Sequence, residues 1–189
     1  MVSKKKKNNT GCGCLFFGGL ILLILLFIFV SIENRVDYRT EYIENTKYLA
    51  TDISKKYNLF PSVVLAQSAL ESNFGTSGLS SEYKNYFGIK AGKKDNSVNL
   101  DTAEFIDGKE VTMNEGFRKY NTKEESFNDY ARLITEAKRY ERVRRASSYR
   151  EAATALYECG YATDPNYSEK IISIIEDYGL EDLDLEVLN

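Results

Sequence analysis

"VVLAQSALESNFGTSG", Val63 to Gly78, is the stretch on which the fold turns. Its first eight residues are apolar or small apart from Gln67 and Ser68, the composition of a helix buried on most sides. Pro61 just ahead suits a first helical turn, and Gly75 and Gly78 break the pattern behind it. Glu71 closes the buried segment. Desolvation there should raise its pKa and keep the carboxyl protonated. The sequence therefore poses a question: what uses that carboxyl?

Outward from this helix, "TKYLATDISKKY" reads as a preceding helix, and residues 33–45, "ENRVDYRTEYIEN", as a polar stalk continuous with it. "NYFGIK", Asn85 to Lys90, reads as a short aromatic loop or strand. Between Asn99 and Phe117 the character changes, and Asp107-Gly108 separates two runs with β-branched and aromatic residues, a hairpin signal. Helical patterning then returns. Thr122 to Glu125 and Ser148 to Glu151 have capping-box spacing. Gly160 stops one helix, and Asp164 with Pro165 starts the last. The expected fold class is α+β, mainly α: a helical domain with one inserted β-hairpin and no internal repeat.

The N-terminal end has a different composition. "MVSKKKKNNTGCGC", residues 1–14, carries Lys4 to Lys7 and no acid, and residues 15–32, "LFFGGLILLILLFIFVSI", carry no charge. Eighteen such residues reach the lower limit for a transmembrane helix, and the lysines place the N-terminus in the cytoplasm and the remainder outside. A cleaved signal peptide is the competing reading, but the following segment lacks a small-x-small cleavage site. A single-pass anchor is therefore expected, with a basic cytoplasmic tail at 1–14, a stalk at 33–45, a catalytic domain at 46–180 and an acidic tail at 181–189. Cys12 and Cys14 precede the apolar run, on the reducing side, and are expected to be inert or acylated at the membrane edge. Cys159 stands alone in the outer part, so no internal disulfide is expected there.

Composition narrows the function. The net charge is −3 with four lysines in the tail, so the outer part is more acidic than the whole and a poor candidate for nucleic acid. The basic cluster "KRYERVRR", Lys138 to Arg145, reads as a solvated helix face or as a contact to an anionic polymer. The chain has no histidine, which removes Ser-His-Asp and Cys-His hydrolysis and the His-bearing zinc sites. No glycine-rich phosphate loop is present, and no metal or cofactor is expected. Carboxylates, tyrosines and lysines remain.

Glycosidic hydrolysis fits that inventory. It needs one protonated carboxyl for the leaving oxygen and usually a second, ionised one, in environments that separate their pKa values. Glu71 and Glu104, the latter on a hairpin strand in "TAEF", are candidates for the two roles. Gln67 lies one helical turn before Glu71 on the same face and could orient that carboxyl or fill the core. Phe87 and Ile89 read as core, Asn85 and Tyr86 as groove residues. Tyr120 reads as packed or sugar-contacting, and Asp129 and Tyr130 as ordinary helix residues.

"AQSALESNFGTSG", "NYFGIK", "TAEF", "FRKYNTKEESFNDYARLI" and "GYATDPNYSEKII", in this order from about Lys47 to Leu180, resemble the glucosaminidase domain of glycoside hydrolase family 73. The resemblance implies a lysozyme-like helical lobe with a small β-hairpin lobe closing one side of a groove. It implies Glu71 as general acid, Glu104 as the second acidic residue and Tyr161 as an assisting tyrosine. Gln67, Phe74, Asn85, Tyr86 and Tyr120 are the accompanying substrate-binding candidates. Phe74 stands where tryptophan is frequent in the family, and Tyr86 where leucine is. The implied substrate is the peptidoglycan glycan strand, cut at the β-1,4 bond after N-acetylglucosamine, by an enzyme facing the cell wall. A muramidase or lytic transglycosylase is the alternative enzyme, disfavoured because "NYFGIK" replaces a "GLMQ"-type stretch. A non-catalytic glycan-binding module is the alternative from another class.

Overall fold

The computed structural model describes residues 37–187 apart from 94, 107 and 108, and the side chains of 102–111 are outside it. The apolar run at 15–32, with its flanking cysteines, lies outside the described residues. Among the described residues no helix is long and apolar enough to cross a membrane.

Helix α1 (Tyr38–Tyr57) leads into α2 (Pro61–Glu71), the helix of the opening stretch. Residues 61–69 are all buried, because α1 and the helices at Tyr149–Glu158, Tyr167–Asp177 and Asp182–Leu185 pack around α2. Burial of Val63, Val64 and Leu65 contributes about 1.5–3 kcal/mol for each side chain. The polar residues among them are paired, as burial requires. Ser68 Oγ donates to the Leu65 carbonyl at 2.7 Å and accepts from Tyr42 Oη at 3.1 Å. Phe60, the N-cap of α2, offers no side-chain acceptor. The C-terminal segment supplies one: Asp184 accepts from Ser62 N at 2.9 Å and from Ser62 Oγ at 2.7 Å.

Asp184 belongs to α8 (Asp182–Leu185), so within the stretch expected as an acidic tail at 181–189 this helix docks on the domain and caps its central helix. The stalk expected at 33–45 also changes character. From Tyr38 onward it is the first half of α1, with Tyr42 and Ile43 in the core. Polarity along that stretch concealed a single buried face.

Helix α3 (Gly78–Tyr83) starts from a Ser77 cap and is followed by the "NYFGIK" loop. Strands β1 (Ser97–Ile106) and β2 (Lys109–Arg118) pair antiparallel from Ser97 opposite Arg118 to Ile106 opposite Lys109, the expected hairpin. Its base is stitched to the loop: Lys90 bridges Phe117, Ala91 N donates to the Gly116 carbonyl, and Arg118 N donates to the Ile89 carbonyl.

Helix α4 (Lys123–Glu136) and α6 (Tyr149–Glu158) begin at the two predicted capping boxes. Thr122 Oγ1 accepts from Glu125 N, and Ser148 Oγ from Glu151 N. In both, the glutamate reaches back to the residue before the cap, Asn121 or Ser147. Between them, a 3₁₀ turn (Lys138–Tyr140) and α5 (Glu141–Arg144) carry the basic cluster. Arg142 pairs with Glu158, Arg145 with Glu141, and Arg144 donates to the Ile134 and Ala137 carbonyls at the end of α4. Three of its arginines are thus tied up within the fold. Helix α7 (Tyr167–Asp177) starts two residues later than the sequence suggested, after Asn166. Asp164 instead turns the chain before it, accepting from Asn166 N at 2.9 Å and pairing with Lys170.

Candidate active site

Glu71 is the last residue of α2 and is half-buried. Tyr167, the first residue of α7, donates its phenol to Glu71 Oε1 at 2.6 Å. Burial, and then the neighbouring Glu71 charge, hold the Tyr167 pKa well above its ordinary value, so the phenol keeps its proton and acts as the donor. Behind it, Gln67 Nε2 donates to Tyr167 Oη at 2.9 Å, and Tyr130 Oη donates to Gln67 Oε1. Gln67 and Tyr130 are fully buried. The carboxyl therefore stands at the surface end of a chain of hydrogen bonds that begins in the core.

The other side of Glu71 is occupied by the "NYFGIK" loop. Gly88 has φ +62°, and a Cβ built there would come within 3.4 Å of Glu71 Oε2. Glycine serves both the left-handed conformation and the approach of backbone to carboxyl. Asn85 makes the loop: buried, its Oδ1 accepts from Phe87 N and Ile89 N, and its Nδ2 donates to the Ile89 and Arg118 carbonyls. The loop carrying Gly88 is thereby locked to the base of the hairpin. Glu104 lies on β1 opposite Val111, in the strand pair standing on that loop; its side chain is outside the described residues.

The candidates from the sequence divide accordingly. Asn85 is corrected from groove residue to loop organiser, because both ends of its amide are engaged with backbone. Gln67, proposed as a substrate contact, is corrected to a buried link behind Tyr167. The Tyr161 phenol donates to the Phe87 carbonyl at 2.8 Å while its ring stacks on Tyr167, centroids 6.1 Å apart. Tyr120 donates to Asp129 at 2.7 Å, and Arg118 pairs with the same carboxylate, so Tyr120 fixes the hairpin base to α4. Phe74 and Tyr86 keep partly exposed rings on either side of buried Tyr42, with centroids 6.2 and 6.3 Å from it. Phe74 also lines an open groove of about 730 Å³ with Asn73, Asn166, Lys170 and Tyr178. Among the described residues, no cluster of His, Cys, Asp and Glu could hold a metal ion.

Tyr167, Tyr130 and Asp129 were missed. Placing the helix start at Pro165 made Tyr167 an interior helix residue, and Tyr130 sits on a helix whose pattern only marks it as buried. The usable signal for Tyr167 was its place two residues beyond "GYATDP".

The fold defines a class: a lysozyme-like, mainly helical α+β domain with a small antiparallel sheet, in which the candidate carboxyl of Glu71 ends the central helix. The family model described as "Mannosyl-glycoprotein endo-beta-N-acetylglucosaminidase" matches residues 47–180, and the chain belongs to this glucosaminidase family, glycoside hydrolase family 73. It is a glycoside hydrolase. The exo-glucosaminidase LytG of Bacillus subtilis is 36% identical, over 97% of this chain and 70% of its own length. A probable N-acetylmuramidase of Lactococcus lactis is 37% identical over 76% of this chain, which spans only 34% of that relative. The catalytic domain of the autolysin Auto from Listeria monocytogenes superposes with a TM-score of 0.67 at 36% identity, covering 78% of this chain and 88% of that one.

Proposed function

We propose that the protein is a membrane-tethered peptidoglycan hydrolase, an endo-β-N-acetylglucosaminidase that cuts the β-1,4 bond after N-acetylglucosamine. Glu71 protonates the leaving glycosidic oxygen, and Glu104, on strand β1 of the hairpin, activates water or stabilises the developing cation. The observation that carries this reading is the Glu71 carboxyl itself: it sits at the end of a buried helix, hydrogen-bonded by Tyr167 at 2.6 Å and approached by Gly88. Tyr161 acts at one remove, stacking on Tyr167 and holding the Phe87 carbonyl. Phe74 and Tyr86 offer apolar faces to sugar rings.

The family description and the similarity to LytG support cleavage after N-acetylglucosamine. The name of LytG also favours a second reading, in which the enzyme removes terminal residues. The test is mass spectrometry of purified peptidoglycan digested with the full-length protein. Oligosaccharides with reducing N-acetylglucosamine ends are expected. Release of monosaccharide alone supports the exo reading, and reducing or anhydro-muramic ends contradict both.

The tether rests on the uncharged run at 15–32 behind Lys4 to Lys7. It confines action to strands near the membrane, which suits local remodelling of the wall. Fractionation should leave the protein in the membrane pellet; release into the medium at full level contradicts the tether.

A further inference from the structure

We infer that Tyr130 and Gln67 are positioning residues that force Tyr167 to donate to Glu71, so that Glu71 Oε1 always accepts and the transferable proton resides on Oε2, beside Gly88. This rests on the proposed role of Glu71 as the acid and adds to it a buried device that sets which oxygen delivers.

Tyr130, Gln67 and Tyr167 are all buried, so each polar hydrogen needs an acceptor among neighbours. In the observed arrangement Tyr130 donates to Gln67 Oε1, Gln67 Nε2 donates to Tyr167 Oη, and Tyr167 donates to Glu71 Oε1. Every link is satisfied and all point toward the surface. Turning the Gln67 amide over reverses the chain: Tyr167 would donate back to Gln67, Glu71 would lose that donor, and the Tyr130 proton would lose the amide oxygen that accepts it. The three bonds of the observed chain would give way to two, Gln67 Nε2 to Tyr130 Oη and Tyr167 Oη to Gln67 Oε1, and the buried Tyr130 proton would be left without that acceptor. Tyr130 therefore locks the amide, though it does not reach the carboxyl by hydrogen bond. Its ring is clamped by a face-to-face stack on Phe87 with centroids 4.0 Å apart, which fixes the direction of its hydroxyl. An amide hydrogen donated to a phenol oxygen also strengthens that phenol as a donor. Burial, and with it the charge of Glu71, raises the pKa of Tyr167 from α7, Tyr161 from the α6–α7 connection and Tyr130 from α4. All three stay neutral through the working range, so the bonds, not their charges, set the effect.

The test is the basic limb of the kcat/KM profile against pH, which reports ionisation of the essential acid in the free enzyme. Tyr167→Phe removes a donor to the ionised carboxylate, so the limb moves to higher pH. Tyr130→Phe moves it the same way by a smaller amount, because the amide can now turn over. The double variant matches Tyr167→Phe alone, since Tyr130 acts only through the chain. Gln67→Met gives a second cycle with the same direction, and adding Tyr130→Phe to it changes nothing further. An unmoved limb in Tyr130→Phe, or shifts that add in the double variant, overturns the inference. Those outcomes, with Glu71→Gln inactive, leave the acid role standing; full activity in Glu71→Gln removes the acid role instead. Thermal melts of each variant establish that the limb is read on folded protein.

Discussion

Tyr167 Oη and Glu71 Oε1 lie 2.6 Å apart although 96 positions separate them in the chain. One is the first residue of α7 and the other the last of α2, so the contact records how two helix ends converge. A hydrogen bond to a charged group contributes about 1.5–3 kcal/mol. Tyr167→Phe is expected to lower kcat/KM on peptidoglycan by about tenfold to hundredfold at that scale. Tyr161→Phe, which only releases the Phe87 carbonyl, should lower the melting temperature and leave kcat/KM within about threefold, the effect of a bond away from the carboxyl. Equal losses in the two would return the assisting role to Tyr161.

Gly75 follows two left-handed residues, Asn73 and Phe74, and itself has φ +77°. A Cβ there would come within 2.8 Å of the Tyr42 ring, which is buried between Phe74 and Tyr86. Gly75→Ala combines backbone strain of about 1–2 kcal/mol with that clash. A clear drop in melting temperature is the expected result, and a melt matching wild type would show that the turn re-forms without strain.

Lys123 gives the domain a pH signature. Its ammonium lies 4.2 Å from the Tyr42 ring centre and 4.9 Å from that of Tyr86, and donates to Thr46 Oγ1. Burial pulls its pKa from 10.5 to about 8. The folded state therefore binds fewer protons than the unfolded state between these values, and stability rises with pH across that window. Below about 8 the cost of burying the charge is fully present. Melting temperature measured from pH 7 to 9.5 should climb more steeply in wild type than in Lys123→Met; parallel curves contradict the assignment.

Asp184 ties the C-terminal segment to the helix that carries Glu71, at the end opposite the carboxyl. Asp184→Ala removes a helix cap, an effect of about 0.5–2 kcal/mol. Urea melts should show it as a lowered midpoint with kcat little changed. An unchanged midpoint would mean that water replaces the cap without cost.

The broad fold was legible because it rests on local signals: the apolar run of α2, the two capping boxes, and Asp107-Gly108 between strand-like runs. The position of Glu71 was legible for the same reason, as a charge at the end of a buried segment. Its partners were not. Gln67, one helical turn before Glu71, reads as orienting that carboxyl or filling the core, whereas Tyr130 and Tyr167 come from two other helices and carry patterns that say only "buried". Asn85 was misread because a polar residue in an aromatic loop suggests a ligand, whereas four backbone bonds to its amide show that the loop needs it. Tyr42, Ile43 and Asp184 lie in stretches whose average polarity hides one buried face.

The most direct test of the account is Glu71→Gln, assayed as new reducing ends released from purified peptidoglycan, with circular dichroism and melting temperature taken alongside. Gln67, Tyr167 and Gly88 can all remain in place around the amide, so the fold is expected to be unchanged and release to fall to background. Release at the wild-type rate by a normally folded variant would contradict the account.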